Sequence, residues 1–220
     1  MGKELTDFLR SRKKMNLCMV MANILIFIIM EVLGDTTSVR FMVDHGAMYP
    51  PAVLKYGEYY RLFTAMFLHF GFEHLAYNML LLLFAGDMLE CQVGAVRYLI
   101  IYLGGGMAGS LLSYGLSLFR REAVVSAGAS GAIFAVVGAL LCIVWKCKGN
   151  VPGVNGRGLI AMAVLNVLQA FMNQGVDNAA HLGGAVGGFL LALILFHPRR
   201  TEEPVRWEKE KNDSQQDELR

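Results

Sequence analysis

Residues 126–145 read SAGASGAIFAVVGALLCIVW, an unbroken run of twenty positions without a charged side chain. A helix that crosses a lipid bilayer needs about 20 mostly apolar residues. The rest of the chain has the same character, since 55% of its 220 residues are hydrophobic and only 17% are charged. Such a composition is too apolar for one soluble core. The sequence therefore predicts an integral membrane protein.

Apolar segments of similar length recur along the chain. They are continuous runs rather than short alternating strands, which favours helices over a closed barrel. The predicted fold is all-α, a polytopic membrane bundle of six transmembrane helices. The predicted spans are residues 17–33, 62–84, 98–119, 131–145, 158–172 and 179–196.

The distribution of lysine and arginine predicts the orientation. With the N-terminus in the cytoplasm, 15 of the 20 basic residues fall on the cytoplasmic side, as the positive-inside rule requires. We therefore expect both termini in the cytoplasm. Residues 1–16 form a basic N-terminus, 17–196 the six-helix domain, and 197–220 a charged, disordered tail. The short basic N-terminus, without a transit-peptide pattern, favours a bacterial plasma membrane.

The longest connection, residues 34–61, is rich in apolar and tyrosine side chains. This composition is too apolar for a free linker. Tyrosine is favoured where one end of a side chain is wet and the other is in an apolar environment. We expect a folded external element that lies in the membrane interface.

Four polar side chains lie in or next to three predicted spans, where burial in lipid is costly. His74 and Asn78 are four residues apart and share one helix face. Ser130 precedes the fourth span, and His181 lies near the start of the sixth. The predicted topology places all four at the outer ends of their helices, at similar depth. They therefore form one candidate site.

These residue types suit acyl transfer. A histidine within hydrogen-bond reach of Ser130 would act as general base and activate the hydroxyl as a nucleophile. The Ser130 N–H, His74 and Asn78 could donate to a developing oxyanion. Taken singly, each residue also fits helix packing or an interhelical hydrogen bond. Their shared depth favours a catalytic site.

A metal site is the alternative for the histidines. His69, Glu73 and His74 are close in sequence. However, their spacing is not His-Glu-x-x-His, and His69 and His74 do not share a helix face as a zinc-binding helix requires. We expect neither a metal nor a cofactor.

Three motifs follow one another along the chain: His69-x4-His74-x3-Asn78, Gly128-Ala129-Ser130-Gly131 and Ala180-His181-x2-Gly184-x3-Gly188. Together they resemble those of the rhomboid intramembrane serine proteases, and the resemblance covers about residues 17–196. It implies a dyad of Ser130 as nucleophile and His181 as base, with an oxyanion hole that uses His74 and Asn78. It implies no third acid, which leaves Asp177 outside the site.

The resemblance also implies supporting roles and shows departures. His69 would support the site, and Glu90 with Gly94 would be structural. The family often carries Trp-Arg in its first external loop, where this chain has Tyr60-Arg61. An aromatic residue that stacks on the base histidine is often Tyr, where this chain has Phe134. Phe134 keeps the ring face and loses the hydroxyl.

The sequence thus predicts a membrane-embedded serine endopeptidase. It would hydrolyse peptide bonds in or near transmembrane segments of other membrane proteins, close to their external ends. Its partners would be these substrates and the bilayer, since its basic residues follow the topology rather than form a nucleic-acid patch. The alternative is a non-catalytic rhomboid-like scaffold, or a small transporter, in which the same polar cluster binds clients or solutes.

Overall fold

The structure is a computed structural model that describes residues 12–151, 154, 158 and 177–198. Within these residues the regular elements are helices, joined in one place by an isolated antiparallel bridge. The all-α prediction is therefore confirmed for this part of the chain. In chain order the helices are α1 Lys14–Leu33, α2 Val39–Asp44, α3 Pro50–Tyr56, α4 Arg61–Thr64, a 3-10 helix Ala65–Phe67, α5 Gly71–Val93, α6 Ala95–Arg120, α7 Ser130–Lys146 and α8 Asn178–Leu195.

Several of these helices are long and apolar enough to cross a bilayer. Helices α1, α6 and α8 qualify alone, and α4, the 3-10 helix and α5 qualify together as one bent span. Helix α7 is apolar but shorter. The chain is a polytopic membrane protein. The count of six spans stays a prediction, because 158–172 lies outside the described residues apart from its first position.

The predicted bounds of the second span are wrong. We expected one helix over residues 62–84, whereas the chain bends by 87° before α5 begins. Leu68 is extended, and Gly71 has a φ of +75°, a backbone conformation that glycine adopts at little steric cost. Hydropathy does not mark the bend, because apolar residues continue through it. Helix α5 then runs beyond residue 84 to Val93.

Helix α8 packs against both α6 and α7. A Cβ on Gly184 would overlap the carbonyl oxygen of Gly131, and one on Gly188 would overlap that of Ala135, so α8 approaches α7 backbone to backbone. Toward α6, a Cβ on Gly183 would lie 2.8 Å from the Ala108 oxygen. Small residues allow such approach within lipid. Helices α6, α7 and α8 therefore form a tightly packed centre.

The connection 34–61 is folded, as predicted, and carries α2 and α3. Arg61 is buried and organises it. Its guanidinium donates to the carbonyl oxygens of Val43 and Ala47 and pairs with Glu58. The buried arginine therefore links the end of α2 and the segment between α2 and α3 to Glu58, just before its own helix α4. The location of this element in the membrane interface stays a prediction.

Carboxylates of α5 cap the start of α1. Glu90 accepts hydrogen bonds from the backbone N–H groups of Asn16 at 2.7 Å and Met15 at 3.3 Å. Asp87 forms an ion pair with Arg12 at 3.2 Å. Negative groups at a helix N-terminus satisfy its unpaired donors. These contacts agree with the structural role that the family resemblance implied for Glu90.

Candidate active site

Ser130 is the first residue of α7, and the backbone before it makes a tight turn. Gly128 has a φ of +139°, and a Cβ there would lie 2.8 Å from the His74 ring and close to Ser130 Oγ. Its N–H donates to the Ala65 carbonyl oxygen at 2.9 Å. Only glycine fits this combination of conformation and space. The turn therefore brings the Ser130 hydroxyl and the His74 ring close to the same space beside Gly128.

His69 supports the same turn from the connection before α5. Its Nε2 accepts a hydrogen bond from the Ala129 N–H at 3.3 Å, and its ring is 1% exposed. The ring also meets that of His74 edge to face, with 5.3 Å between centroids. The structure thus places His69 behind the site, as a side chain that holds the Ser130 turn against α5.

His181 lies in the first turn of α8 and reaches Ser130. Its Nε2 is 2.8 Å from Ser130 Oγ, a normal hydrogen-bond distance. Phe134, one turn beyond Ser130 on α7, stacks on the imidazole with 4.2 Å between centroids and 12° between planes. A phenylalanine therefore provides the stacking surface without a hydroxyl. The glycine contacts between α7 and α8 hold both residues at this separation.

His74 and Asn78 lie on one face of α5, as predicted. Asn78 is buried, and its Nδ2 donates to the His74 carbonyl oxygen at 2.8 Å. Neither side chain forms a hydrogen bond to Ser130 in the described part of the chain. In this state Asn78 is held by its own helix, and one of its two amide hydrogens remains for another acceptor.

All four predicted site residues line one open cavity of about 760 Å³, a size typical of ligand sites. Glu73 lies at its rim on the first turn of α5. The cavity lining includes Ser130, His181, His74, Asn78, Met66, Phe70, Tyr77, Leu81, Ser110, Ile133 and Phe134. The structure therefore brings together every side chain that the sequence placed in the site.

Two contacts near the site were not predicted. The backbone of Met48, in the external connection, pairs with Ser126 through N–H···O bonds of 2.8 and 3.0 Å. Asp177, also on the cavity wall, accepts a hydrogen bond from the Ala180 N–H at 2.9 Å and one from the Ser113 hydroxyl of α6. The N-cap preference of aspartate could have revealed the first of these Asp177 contacts. No local pattern marks the contact with Ser113.

The alternative of a metal site concerns the histidines His69 and His74 and the neighbouring Glu73. Across residues 12–151 and 177–198, no three or more His, Cys, Asp or Glu side chains are grouped so that they could hold a metal ion. His69 and His74 contact each other through their rings, and His69 Nε2 is bonded to the Ala129 N–H. Within the described residues, the histidine contacts at the site include those of His181 with Ser130 and of His69 with His74 and Ala129.

The fold and the site define a class, a polytopic helical membrane protein that holds a serine–histidine pair in an open cavity. Sequence comparison gives the family within that class. The family model of the Rhomboid domain matches residues 56–198, which is more than half of the chain. The chain belongs to the rhomboid family.

Curated relatives agree with this assignment. Rhomboid protease GluP of Bacillus subtilis (strain 168) is 36% identical over 176 residues, which cover 80% of this chain and 34% of GluP. RHOMBOID-like protein 1 of Arabidopsis thaliana is 41% identical over 152 residues, 68% of this chain and 38% of that protein. YdcA of Bacillus subtilis is 34% identical over 138 residues, 63% of this chain and 68% of YdcA. The chain thus spans about a third of the length of GluP and RHOMBOID-like protein 1.

Proposed function

We propose that this protein is an intramembrane serine endopeptidase that hydrolyses peptide bonds in or near transmembrane segments of membrane proteins. The observation that carries the proposal is the 2.8 Å distance between His181 Nε2 and Ser130 Oγ on the wall of the open cavity. A nucleophile and base within hydrogen-bond reach are the geometric signature of this chemistry. The relative named as a rhomboid protease supports the same activity.

Acylation follows from this geometry. Ser130 Oγ attacks the carbonyl carbon of the scissile bond while its proton passes to His181 Nε2. The tetrahedral intermediate collapses as the C–N bond breaks, and His181 returns the proton to the leaving amine. The product that leaves is the C-terminal fragment, and the N-terminal fragment remains as an ester of Ser130.

Deacylation uses the same two residues. A water molecule that enters the open cavity loses a proton to His181 Nε2 as its oxygen attacks the ester carbonyl. When the ester bond breaks, His181 gives the proton back to Ser130 Oγ. The N-terminal fragment leaves as a carboxylic acid, and the dyad is restored without a cofactor.

The oxyanion of both intermediates needs preorganised donors. The Ser130 N–H lies at the start of α7, where helical N–H groups lack intrahelical acceptors. His74 and Asn78 face the same cavity, and Asn78 keeps one amide hydrogen available. We assign these three groups to the oxyanion hole.

The setting follows from the sequence. Residues 17–196 would form a six-helix protease domain between the basic segment 1–16 and the charged tail 197–220. The basic-residue asymmetry favours cytoplasmic termini in a bacterial plasma membrane. The cavity would then open to the outside, and the cut would fall near the external end of a substrate helix.

A covalent serine-directed probe and a panel of single-span substrates test the proposal. The purified protein in detergent should be labelled and should cleave at sites that mass spectrometry can map. Ser130→Ala should lose both activities, whereas Ser110→Ala, which alters another serine on the cavity wall, should retain them. A folded wild-type protein that is neither labelled nor active would favour the scaffold alternative.

A further inference from the structure

We infer that Asp177 is a positioning residue for the base. Through its hydrogen bonds to Ser113 of α6 and to the first turn of α8, it fixes the depth and rotation of the helix that carries His181. This inference rests on the proposed function. It gives a role to a carboxylate that the dyad does not use.

The first step is the contact between Asp177 and its own helix. One carboxylate oxygen accepts from the Ala180 N–H at 2.9 Å, and the backbone carbonyl of Asp177 accepts from the His181 N–H at 3.1 Å. Asp177 is therefore the N-cap of α8, and it lies one turn before His181. Any movement of Asp177 is carried to the imidazole through a single helical turn.

The second step is the contact with a neighbouring helix. The other carboxylate oxygen accepts from the hydroxyl of Ser113, which is 5% exposed and belongs to α6. A hydrogen bond to a charged acceptor is stronger than one between neutral groups. The carboxylate thus joins the start of α8 to α6 in a place where it is partly shielded from solvent.

The third step is the nature of the remaining contact between α6 and α8. One turn before Ser113, a Cβ on Gly109 would lie 2.5 Å from the Ala180 carbonyl oxygen, and a Cβ on Gly183 would lie 2.8 Å from the Ala108 carbonyl oxygen. Glycine contacts allow the backbones to pack closely, and a hydrogen bond adds a directional contact to that packing. The hydrogen bond from Ser113 to Asp177 fixes the depth and rotation of α8 at the end that bears His181.

The opposite end of α8 has its own polar anchor. There the Lys146 ammonium of α7 donates to the carbonyl oxygens of Leu193 and Phe196 at 2.9 and 2.7 Å. The two polar anchors lie at opposite ends of the helix, so loss of the Asp177 anchor would leave α8 with its packing contacts and with a polar anchor at its far end only. A movement of the start of α8 would then change the 2.8 Å distance between His181 Nε2 and Ser130 Oγ more than any other contact of the site.

The effect on turnover can be stated. A displacement of about 1 Å in a reacting group can reduce the rate on the order of a hundredfold. Asp177→Ala should therefore lower kcat by about 10- to 100-fold and change KM for a single-span substrate by less than about twofold. Ser113→Ala should act in the same direction and less strongly, because the cap to Ala180 remains. In the double variant the loss should match that of Asp177→Ala, since both changes break one contact.

Asp177→Asn is the variant that distinguishes position from charge. Its amide oxygen can accept from the Ala180 N–H, and its NH₂ group can donate to Ser113 Oγ. Its kcat should stay within about threefold of wild type if the anchor matters. A loss as large as that of Asp177→Ala would instead show that the negative charge acts on the imidazole, and it would overturn the inference.

The experiment measures kcat and KM for these variants beside wild type, Ser130→Ala and the matched control Ser117→Ala. Ser117 is buried on α6 one turn beyond Ser113 and has no side-chain hydrogen bond to α8 among the described residues. Thermal melting and the fraction of molecules labelled at Ser130 separate lost folding from slow turnover per folded molecule. If Asp177→Ala does not fold, the positioning role is tested by the difference in kcat between Ser113→Ala and Ser117→Ala.

Two failures are distinguishable. Wild-type cleavage that persists in Ser130→Ala would overturn the proposed function and this inference with it. Ser130-dependent cleavage that is unchanged in folded Asp177→Ala, or in Ser113→Ala relative to Ser117→Ala, would overturn only the positioning role. The expected result is a lower kcat at unchanged KM for Asp177→Ala and Ser113→Ala, with recovery in Asp177→Asn.

Discussion

Gly184→Ala should inactivate the protein although the residue touches no reacting group. The added Cβ would overlap the carbonyl oxygen of Gly131, the residue next to Ser130. Ordinary contact at 3.4 Å requires α7 and α8 to separate by roughly 1 Å. Overpacking of this kind costs about 1–3 kcal/mol of stability. We expect a lower melting temperature together with weaker activity.

The effect on catalysis should exceed the effect on stability. Gly184 lies three residues after His181, so the separation acts directly on the 2.8 Å contact with Ser130. Widening that contact by roughly 1 Å takes it beyond hydrogen-bond distance. Turnover should then fall on the order of a hundredfold in molecules that remain folded. Labelling of Ser130 by a covalent probe should slow to a similar degree.

Gly115→Ala is the matched control. Gly115 also lies within a predicted span, on α6, but a Cβ there would have no atom within 4 Å. The Gly115→Ala variant should have the same melting temperature and the same kcat as the wild type. The assay compares kcat for a single-span substrate, the probe-labelling rate and the melting curve of both variants. If Gly184→Ala behaved like Gly115→Ala in all three, the rigid glycine contact would not control the dyad.

Three further predictions concern the site and its setting. Ser130→Ala, His181→Ala and their double variant should lose nearly equal activity, because one catalytic device is not additive; additive losses would indicate another nucleophile. His74→Ala or Asn78→Ala should lower kcat by up to about a thousandfold, though less than loss of Ser130 does, with little change in KM; wild-type turnover in the folded double variant would exclude them as oxyanion donors. A reporter fused to the C-terminus should lie in the cytoplasm, and an external signal would contradict both the six-span count and the outward-facing cavity.

The helices and their central packing could be predicted because both depend on local composition. A continuous apolar run marks a transmembrane span wherever it occurs in a chain. Glycines at spacings of three and four residues mark the helix face that meets a neighbour, as Gly184 and Gly188 do. The bend before α5 could not be predicted, because it arises from the backbone of Leu68 and Gly71 within an apolar stretch that gives no polar boundary signal.

The sequence could predict those features of the site that depend on the position of a residue within a single helix. Ser130, His181 and His74 lie in the first turn of their helices and Asn78 one turn later, so each position could be read from the sequence of a single helix. The contacts between Asp177 and Ser113, and between Met48 and Ser126, depend on how distant segments meet. One sequence without tertiary information contains no period or spacing that pairs such residues.

The proposed dyad of Ser130 and His181 lies at helix starts, where two competing requirements of chemistry in a membrane would both be met. Hydrolysis needs water and polar groups, which are costly within lipid. The starts of α7 and α8 would satisfy both, because Ser130 and His181 line the open cavity there and the glycine contacts hold the two backbones together. Polar anchors such as Asp177–Ser113 then set the orientation that apolar packing leaves free. Close packing of small residues holds the helices together, and a few hydrogen bonds fix their orientation. Together these contacts place Ser130 and His181 within hydrogen-bond distance of each other.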